Sequence, residues 1–148
     1  MKEPTDTKKR LITLNRAIFV LSIIGTIIAI YVTQSFLRST SIICVNSGCE
    51  TVRKSPLSYI LGVPVPMFGL IGYSIMTVIS FLRTLSDKKI LLNIILGIGI
   101  FGICFTSWFT YTEIFLIKGI CTWCVISAFN MWIIFFITLK SYFLFKKL

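Results

Sequence analysis

Histidine is absent from the sequence of 148 residues. Its absence excludes Ser–His and Cys–His nucleophilic catalysis, haem or copper sites built on imidazole, and most catalytic zinc sites. Any redox chemistry carried by side chains must then use the cysteines. There are five of them: Cys44, Cys49, Cys104, Cys121 and Cys124.

Charged residues are also scarce, at 14% of the sequence, whereas 56% of the residues are hydrophobic. This composition is too apolar for the surface of a soluble globular protein and is typical of an integral membrane protein. Basic residues outnumber acidic ones by 15 to 5, but they lie in short clusters between apolar runs. A nucleic-acid-binding protein would instead place them along one face. We therefore predict one membrane domain over residues 1–148.

Four apolar runs are each about long enough to cross a bilayer as a helix. They cover roughly residues 17–36, 63–82, 90–111 and 121–139. The first run is longer than the core of a signal peptide and lacks a small-residue cleavage site, so we expect an uncleaved transmembrane helix. The predicted fold is an all-α integral membrane bundle of four helices. A polar tail at residues 1–10 and a polar loop at residues 37–65 complete it.

The basic residues predict how these spans are oriented. With four spans, both termini and the turn at residues 83–89 share one side of the membrane, and that side holds eleven of the 15 basic residues. The positive-inside rule places it in the cytoplasm of a multi-pass protein of the cell membrane. The other side holds only four: Arg38, Arg53, Lys54 and Lys118. Cys44, Cys49, Cys121 and Cys124 then all lie outside, where disulfides persist.

The outer loop contains a helix-start sequence, Ser55-Pro56. Serine is a favoured N-cap, and proline suits the first helical position. Residues 57–61 are therefore expected to form a short helix in the membrane interface, which Gly62 would end.

The only C-x-x-C of the chain, Cys121-Thr122-Trp123-Cys124, opens the fourth span. At helical spacing the two sulfurs lie on one face, one turn apart. The first turn of a helix offers free backbone N–H groups and the positive end of the helix dipole, both of which favour a thiolate. A low thiol pKa makes a cysteine reactive, so this motif predicts a redox dithiol at a membrane surface.

Cys44 and Cys49 allow three interpretations. They could form a structural disulfide in the outer loop, or act as a shuttle dithiol that passes electrons to Cys121 and Cys124. All four cysteines could also bind one zinc ion, but zinc ligand pairs normally lie in one small folded module, and two spans separate these pairs. Two pairs at one membrane face favour thiol–disulfide exchange, in which a thiolate attacks a neighbouring disulfide. We therefore expect no metal.

Three further features are expected to be structural. Residues 97–102 match the letters of a dinucleotide-binding G-x-G-x-x-G, but no βαβ unit surrounds them, and small residues within a span indicate close helix packing. Asn130 is expected to form an interhelical hydrogen bond. Cys104 is expected to behave as a buried, small apolar side chain. The sequence leaves open whether Glu113 lies in the headgroup layer or moves protons.

The cysteine pattern and its flanking letters resemble the vitamin K epoxide reductase family, especially its bacterial members. The similarity covers residues 44–130, most of the chain. Its order is a cysteine pair in a loop, followed by a C-x-x-C at the start of the last core helix. The matching positions are Ser47-Gly48-Cys49, Val52, Ser55-Pro56, Gly62-Val63-Pro64, Gly69, Tyr73, Ile120-Cys121-Thr122-Trp123-Cys124 and Ser127-Ala128.

The resemblance implies a four-helix bundle around a quinone, either menaquinone or ubiquinone. The extracytoplasmic loop, with its short interfacial helix, would cap the active site. Cys121 and Cys124 would be the active-site pair, with Cys124 facing the quinone and Cys121 exchanging with Cys49. Cys44 and Cys49 would accept electrons from a thioredoxin-like extracytoplasmic thiol protein. Because the chain stops at Leu148, that partner is expected to be a separate protein.

Two more residues enter as expected cofactor-binding residues beside Cys124. Ser55 matches a serine or threonine that the family places near its active site, although its residue type also suits a helix cap. Trp123 fits either an interfacial aromatic belt or the wall of a pocket for a flat ring.

The expected function is a quinone-dependent membrane thiol oxidoreductase that generates disulfides. One alternative is a vitamin K epoxide or quinone reductase that uses the same cysteines. The animal enzymes carry a tyrosine one turn after the C-x-x-C, where this chain has Ala128, and this difference argues against epoxide reduction. The other alternative is a non-enzymatic membrane scaffold whose disulfides are structural.

Overall fold

The computed structural model describes residues 4–148, and its core is a bundle of long helices. Within that range, four helices are long and apolar enough to cross a membrane, so the predicted all-α membrane bundle is confirmed. The long helix α1 packs against α3 and α5, and α4 packs against the same two helices. The helices are α1 (Pro4–Arg38), the short α2 (Gly48–Lys54), α3 (Val65–Leu85), α4 (Lys89–Tyr111) and α5 (Thr122–Lys146).

The seam of α1 explains how the bundle closes. Its buried positions are spaced alternately by four and three residues, which is the heptad pattern of helices that pack side by side in a bundle. One of them is Gly25, where an added Cβ would overlap the ring of Tyr73 from α3. The buried positions with this spacing are Leu11, Asn15, Ile18, Ser22, Gly25, Ala29, Val32 and Phe36, and Thr33 and Ser35 are buried beside them.

Two predicted packing features are present between the other helices. The Asn130 amide donates an interhelical hydrogen bond of 3.0 Å to the Leu21 carbonyl. A Cβ at Gly102 would lie 2.7 Å from the Met131 sulfur, and one at Gly99 would lie 3.4 Å from the Phe135 ring. The glycine-rich stretch of α4 therefore serves close helix packing against α5, as predicted.

Several helix boundaries differ from the prediction. Helix α1 already begins at Pro4, so most of the predicted polar tail is helical. Beyond α4 the chain continues as a π-helix, Thr112–Ile117, where a connector around Glu113 was expected. The helix continues because no glycine or proline interrupts it before Lys118, which ends it with a φ of 56°. That difference moves Glu113 from the expected surface into the bundle.

The outer loop does not contain the interfacial helix predicted at residues 57–61. Ser55 is the predicted cap, and its hydroxyl oxygen accepts the Leu57 N–H at 3.3 Å, but the helix that follows is only the 3₁₀ turn Pro56–Ser58. The chain then forms a hairpin of β1 (Tyr59–Ile60) and β2 (Val63–Pro64). Leu61 and Gly62 at its tip have φ values of 52° and 82°. Positive φ at both positions is the geometry of a two-residue hairpin turn, so Gly62 closes a hairpin rather than ending a helix.

Candidate active site

The loop cysteines are joined as a Cys44–Cys49 disulfide, with a Cα–Cα distance of 6.3 Å. Cys49 lies in the first turn of α2 and is fully buried, whereas Cys44 is half-buried. The Glu50 carboxylate accepts the Ile42 N–H at 3.3 Å and is paired with Arg53. The hydrogen bond from Arg53 lowers the pKa of Glu50, and the same bond raises the pKa of Arg53. These contacts fix α2 against the loop segment that leads to Cys44.

Helix α2 lies directly on the connector that precedes the C-x-x-C. A Cβ at Gly48 would overlap the carbonyl oxygen of Ile120, and a Cβ at Gly119 would lie 3.0 Å from the Thr51 side chain. Glycine at both positions therefore lets the backbones of α2 and the connector approach each other closely. This approach brings the first turn of α2 to the residue before Cys121.

Three sulfurs meet as a result. The Sγ atoms of Cys44, Cys49 and Cys121 all lie within 4.8 Å of one another. A thiol this close to a disulfide is placed for thiol–disulfide exchange. The four-cysteine zinc alternative required all four sulfurs around one centre, but the cluster found in residues 4–148 leaves out Cys124.

Cys121 and Cys124 have different surroundings. Cys121 is the N-cap of α5, just before the membrane-spanning helix, and is fully buried against the loop. The hydrogen bond from the Cys124 thiol, helped by backbone N–H groups, lowers the pKa of Cys121 to about 7. A substantial fraction of Cys121 is then thiolate near neutral pH, which is the reactive form. Cys124, one turn later, lines a cavity inside the bundle.

That cavity is predominantly apolar and lies among α1, α3, α4 and α5. Its polar side chains are few, and among them the Tyr73 hydroxyl donates a 2.8 Å hydrogen bond to the Ser127 carbonyl. An apolar pocket with a few polar groups and a thiol in its wall fits a flat hydrophobic ring such as a quinone. The aromatic residues of its wall include Phe68, Phe105, Phe109 and Trp123.

Trp123 links the cavity to the cysteine loop. Its ring lines the cavity, and its indole N–H donates a 2.7 Å hydrogen bond to the carbonyl of Ile43, the residue before Cys44. The Tyr31 ring packs edge-on against it, with 5.2 Å between ring centroids. Of the two roles left open by the sequence, the structure therefore places Trp123 in a pocket wall.

The remaining predicted residues lie elsewhere. The Ser55 hydroxyl caps the 3₁₀ turn, and its expected contact with the cofactor stays a prediction. Cys104 was expected to be buried, but it is a free cysteine exposed on the outside of α4, because its helix face points away from the bundle seam.

Glu113 is a polar residue whose position the sequence left open. Its side chain is only 1% exposed, so it lies inside the bundle rather than on its surface. The carboxyl group lies within interaction range of the Cys124 thiol and the Cys121 backbone N–H. Its spacing of eight residues before Cys121 gave no hint of this contact, because the π-helix and the connector together bring it back to the motif.

The whole of this arrangement lies within a recognised family pattern. A search of curated proteins finds no match to the chain. The family model described as vitamin K epoxide reductase family matches residues 16–139, which include the loop cysteines, the C-x-x-C and most of all four spans. The chain therefore belongs to the vitamin K epoxide reductase family.

Proposed function

We propose that the protein is a membrane thiol oxidoreductase that generates disulfides in extracytoplasmic proteins. Electrons pass from a thioredoxin-like partner to Cys44 and Cys49, then to Cys121 and Cys124, and finally to menaquinone or ubiquinone. The observation that carries this proposal is the approach of the Cys44, Cys49 and Cys121 sulfurs to within 4.8 Å, with Cys124 in the wall of an apolar cavity.

The first transfer begins at Cys44, because it is the more accessible sulfur of the loop disulfide. A thiolate of the partner attacks Cys44, and Cys49 leaves as a thiolate. The second thiol of the partner then attacks its own sulfur in the mixed disulfide and releases Cys44. The partner leaves with a new disulfide, and the loop holds two thiols.

The second transfer moves these two electrons inward. Cys49 attacks Cys121 of an oxidised Cys121–Cys124 pair, and Cys124 leaves as a thiolate. Cys44 then attacks Cys49, which restores the loop disulfide and leaves Cys121 and Cys124 reduced. The Sγ atoms of Cys44 and Cys49 both lie within 4.8 Å of the Cys121 Sγ. We assign the exchange to the buried Cys49, because Cys44 is the more accessible sulfur and reacts with the partner.

The last transfer takes place at the cavity. A bound quinone supplies an acceptor for two electrons and two protons. The aromatic and aliphatic walls exclude water and orient a flat ring beside Cys124. The protein therefore accelerates the reaction by positioning the ring, whereas the quinone itself supplies the redox chemistry. We place Trp123 in this wall and keep Ser55 as a cofactor-binding candidate by family position.

The test is quinone reduction by the purified protein with a reduced thioredoxin-like partner. Wild-type protein should reduce added menaquinone or ubiquinone, and Cys124→Ser should abolish turnover because no thiol remains in the cavity wall. Cys104→Ser is the matched control, since Cys104 lies on the outside of α4, and it should keep full activity. Full activity in the Cys124→Ser variant would reject the mechanism.

The same preparation separates the two alternatives. Turnover of a vitamin K epoxide with a dithiol reductant would favour epoxide reduction, whereas the cavity offers only the methyl group of Ala128 where the animal enzymes have a tyrosine. For a structural scaffold, no mixed disulfide with another protein should form. A covalent complex trapped through Cys44 in a Cys49→Ser variant would exclude the scaffold.

A further inference from the structure

Glu113 is a buried carboxyl group beside the C-x-x-C. It lies in the π-helix that follows α4, and its side chain is 1% exposed. Single π-helical turns within α-helices occur frequently at functional sites. Here the turn places Glu113 within interaction range of the Cys124 thiol.

One oxygen of this carboxyl group has no partner. Within residues 4–148, Glu113 Oε1 accepts no hydrogen bond, and it is one of three such buried side-chain atoms. A buried carboxyl group without full hydrogen bonding is costly to stability. Among residues 4–148, the titrating groups that act on Glu113 are Cys121 and Cys124, so its position is matched to the dithiol rather than to a basic residue.

Oxidation of the dithiol requires a group that accepts the thiol protons. Conversion of two thiols to a disulfide releases two electrons and two protons, and conversion of a quinone to a hydroquinone takes up both. Residues that accept and donate protons in such steps typically accelerate them by about 10²- to 10⁴-fold. The chain has no histidine, so within the described residues near Cys124 a carboxyl group is the side chain that can do this.

We propose that the Glu113 carboxylate accepts the proton of the Cys124 thiol while the Cys121–Cys124 disulfide forms. This inference rests on the proposed quinone reaction and adds a residue to it. The sulfur–sulfur bond forms, the two electrons reduce the quinone, and the proton held by Glu113 passes on to a ring oxygen. Cys121 reacts as the thiolate, so the second proton of the hydroquinone comes from water. Glu113 does not itself line the cavity, but Cys124 and Thr110, three residues before Glu113, do.

A purely structural role for Glu113 gives a different expectation. In that case the carboxyl group only holds the connector by accepting the Cys121 backbone N–H. Glutamine has the same shape and keeps an acceptor oxygen, so Glu113→Gln would preserve that role. Glutamine cannot take up a proton, and Glu113→Asp keeps a titrating carboxyl group. These two substitutions therefore separate the roles.

The first measurement is steady-state quinone reduction by the purified full chain. Glu113→Gln should lower kcat by about 100-fold while the KM for the quinone stays unchanged, because the cavity is intact. Glu113→Asp should recover part of the rate. Exchange between Cys49 and Cys121, followed by release of the Cys44 thiol, should keep its wild-type rate in both variants and so show that they fold. Asp6→Asn, a surface carboxyl in an ion pair with Arg10, is the control and should match wild type.

The second measurement does not need a quinone. Infrared difference spectra between the dithiothreitol-reduced and oxidised protein should contain a carboxyl band that Glu113→Gln removes and Asp6→Asn keeps. If wild type fails to reduce quinones but shows this band, the proposed function fails and the proton-accepting role of Glu113 stands. Absence of the band, or a Glu113→Gln variant at the full wild-type rate, overturns the role of Glu113.

Discussion

At the scale of single residues, one hydrogen bond joins the cavity to the cysteine loop. The Trp123 ring lines the cavity beside Cys124, and its indole N–H donates to the carbonyl of Ile43, the residue before Cys44. Loss of that donor should loosen the loop without removing the ring from the cavity wall.

The hydrogen bond from Trp123 to Ile43 gives a residue-scale prediction. Trp123→Phe keeps a flat ring in the cavity but removes the indole N–H that holds the loop next to Cys44. A hydrogen bond of this kind is worth about 1 kcal/mol, which corresponds to roughly a fivefold change. We expect exchange between the loop disulfide and Cys121 to slow about fivefold, with the KM for the quinone nearly unchanged.

The measurement is the rate at which the Cys44 thiol appears after selective reduction of Cys121 and Cys124. Trp108→Phe is the matched control, because Trp108 is 48% exposed on the outside of the bundle. It should leave the rate unchanged. A Trp123→Phe variant that exchanges at the wild-type rate would show that the loop is held by other contacts.

The sequence indicated the residue types of the site but not their contacts. A C-x-x-C at a helix start favours a thiolate, so Cys121 and Cys124 were predicted as a dithiol, and that role stays a prediction. A pocket wall and an aromatic belt both need an amphipathic ring, so the sequence did not separate the two for Trp123. It also left the position of Glu113 open, because a single π-helical turn leaves no mark on an apolar run.

At the scale of elements, the four spans were predictable and the outer loop was only partly so. Apolar runs of spanning length are a strong signal because every backbone polar group must be satisfied within the helix. The hairpin at Tyr59–Pro64 was missed because Leu61 adopts a positive φ. Leucine rarely does so, and its presence in a sequence therefore does not predict a hairpin turn. Helix α2 was missed because it is short and mostly polar, and its position depends on contact with the connector.

Helix α2 and the connector before Cys121 must touch for the sulfurs to meet, and Gly48 makes this contact possible. In Gly48→Ala the added methyl group would overlap the Ile120 carbonyl, and a backbone cannot move aside as a side chain can. Overpacking of this kind costs about 1–3 kcal/mol. We expect a lower unfolding temperature in detergent and exchange between Cys49 and Cys121 slowed by at least tenfold.

Gly97→Ala provides the control for this substitution. Nothing lies within 4 Å of a Cβ built at Gly97 in the described part of the chain, so the methyl group meets open space. Its unfolding temperature should stay the same or rise slightly, because alanine is the better helix former. Equal behaviour of the two alanine variants would contradict the close approach at Gly48.

At the scale of the whole molecule, the bundle has a polar clamp at the end opposite the cysteines. Arg83 of α3 is 4% exposed and donates hydrogen bonds to Asn15 of α1, at 3.3 Å, and to Ser141 of α5, at 3.2 Å. Three helices are therefore tied at one end, while the cysteine loop covers the other. The sequence indicated that Arg83 orients the protein, but a clamp inside the bundle depends on which helices become neighbours.

The orientation of the bundle is the last prediction, and it follows from the distribution of charge. The end with both termini and the turn between α3 and α4 carries eleven of the 15 basic residues, so it should face the cytoplasm. The side of the membrane on which each end lies can be tested with two variants, each carrying one introduced cysteine in a cysteine-free background. Leu61→Cys lies at the hairpin tip, where Leu61 is 100% exposed, and Asp87→Cys lies in the exposed turn between α3 and α4.

In intact cells a membrane-impermeant maleimide should label Leu61→Cys fully and leave Asp87→Cys unlabelled until the membrane is permeabilised. The reverse pattern would place the cysteine pairs in the cytoplasm, where the thiol pool keeps disulfides reduced. The Cys44–Cys49 pair could then not reach a reduced extracytoplasmic thiol protein. The proposed electron transfer would have no electron donor. Labelling of Leu61→Cys from outside would place the cysteine loop on the extracytoplasmic side, which disulfide formation in extracytoplasmic proteins requires.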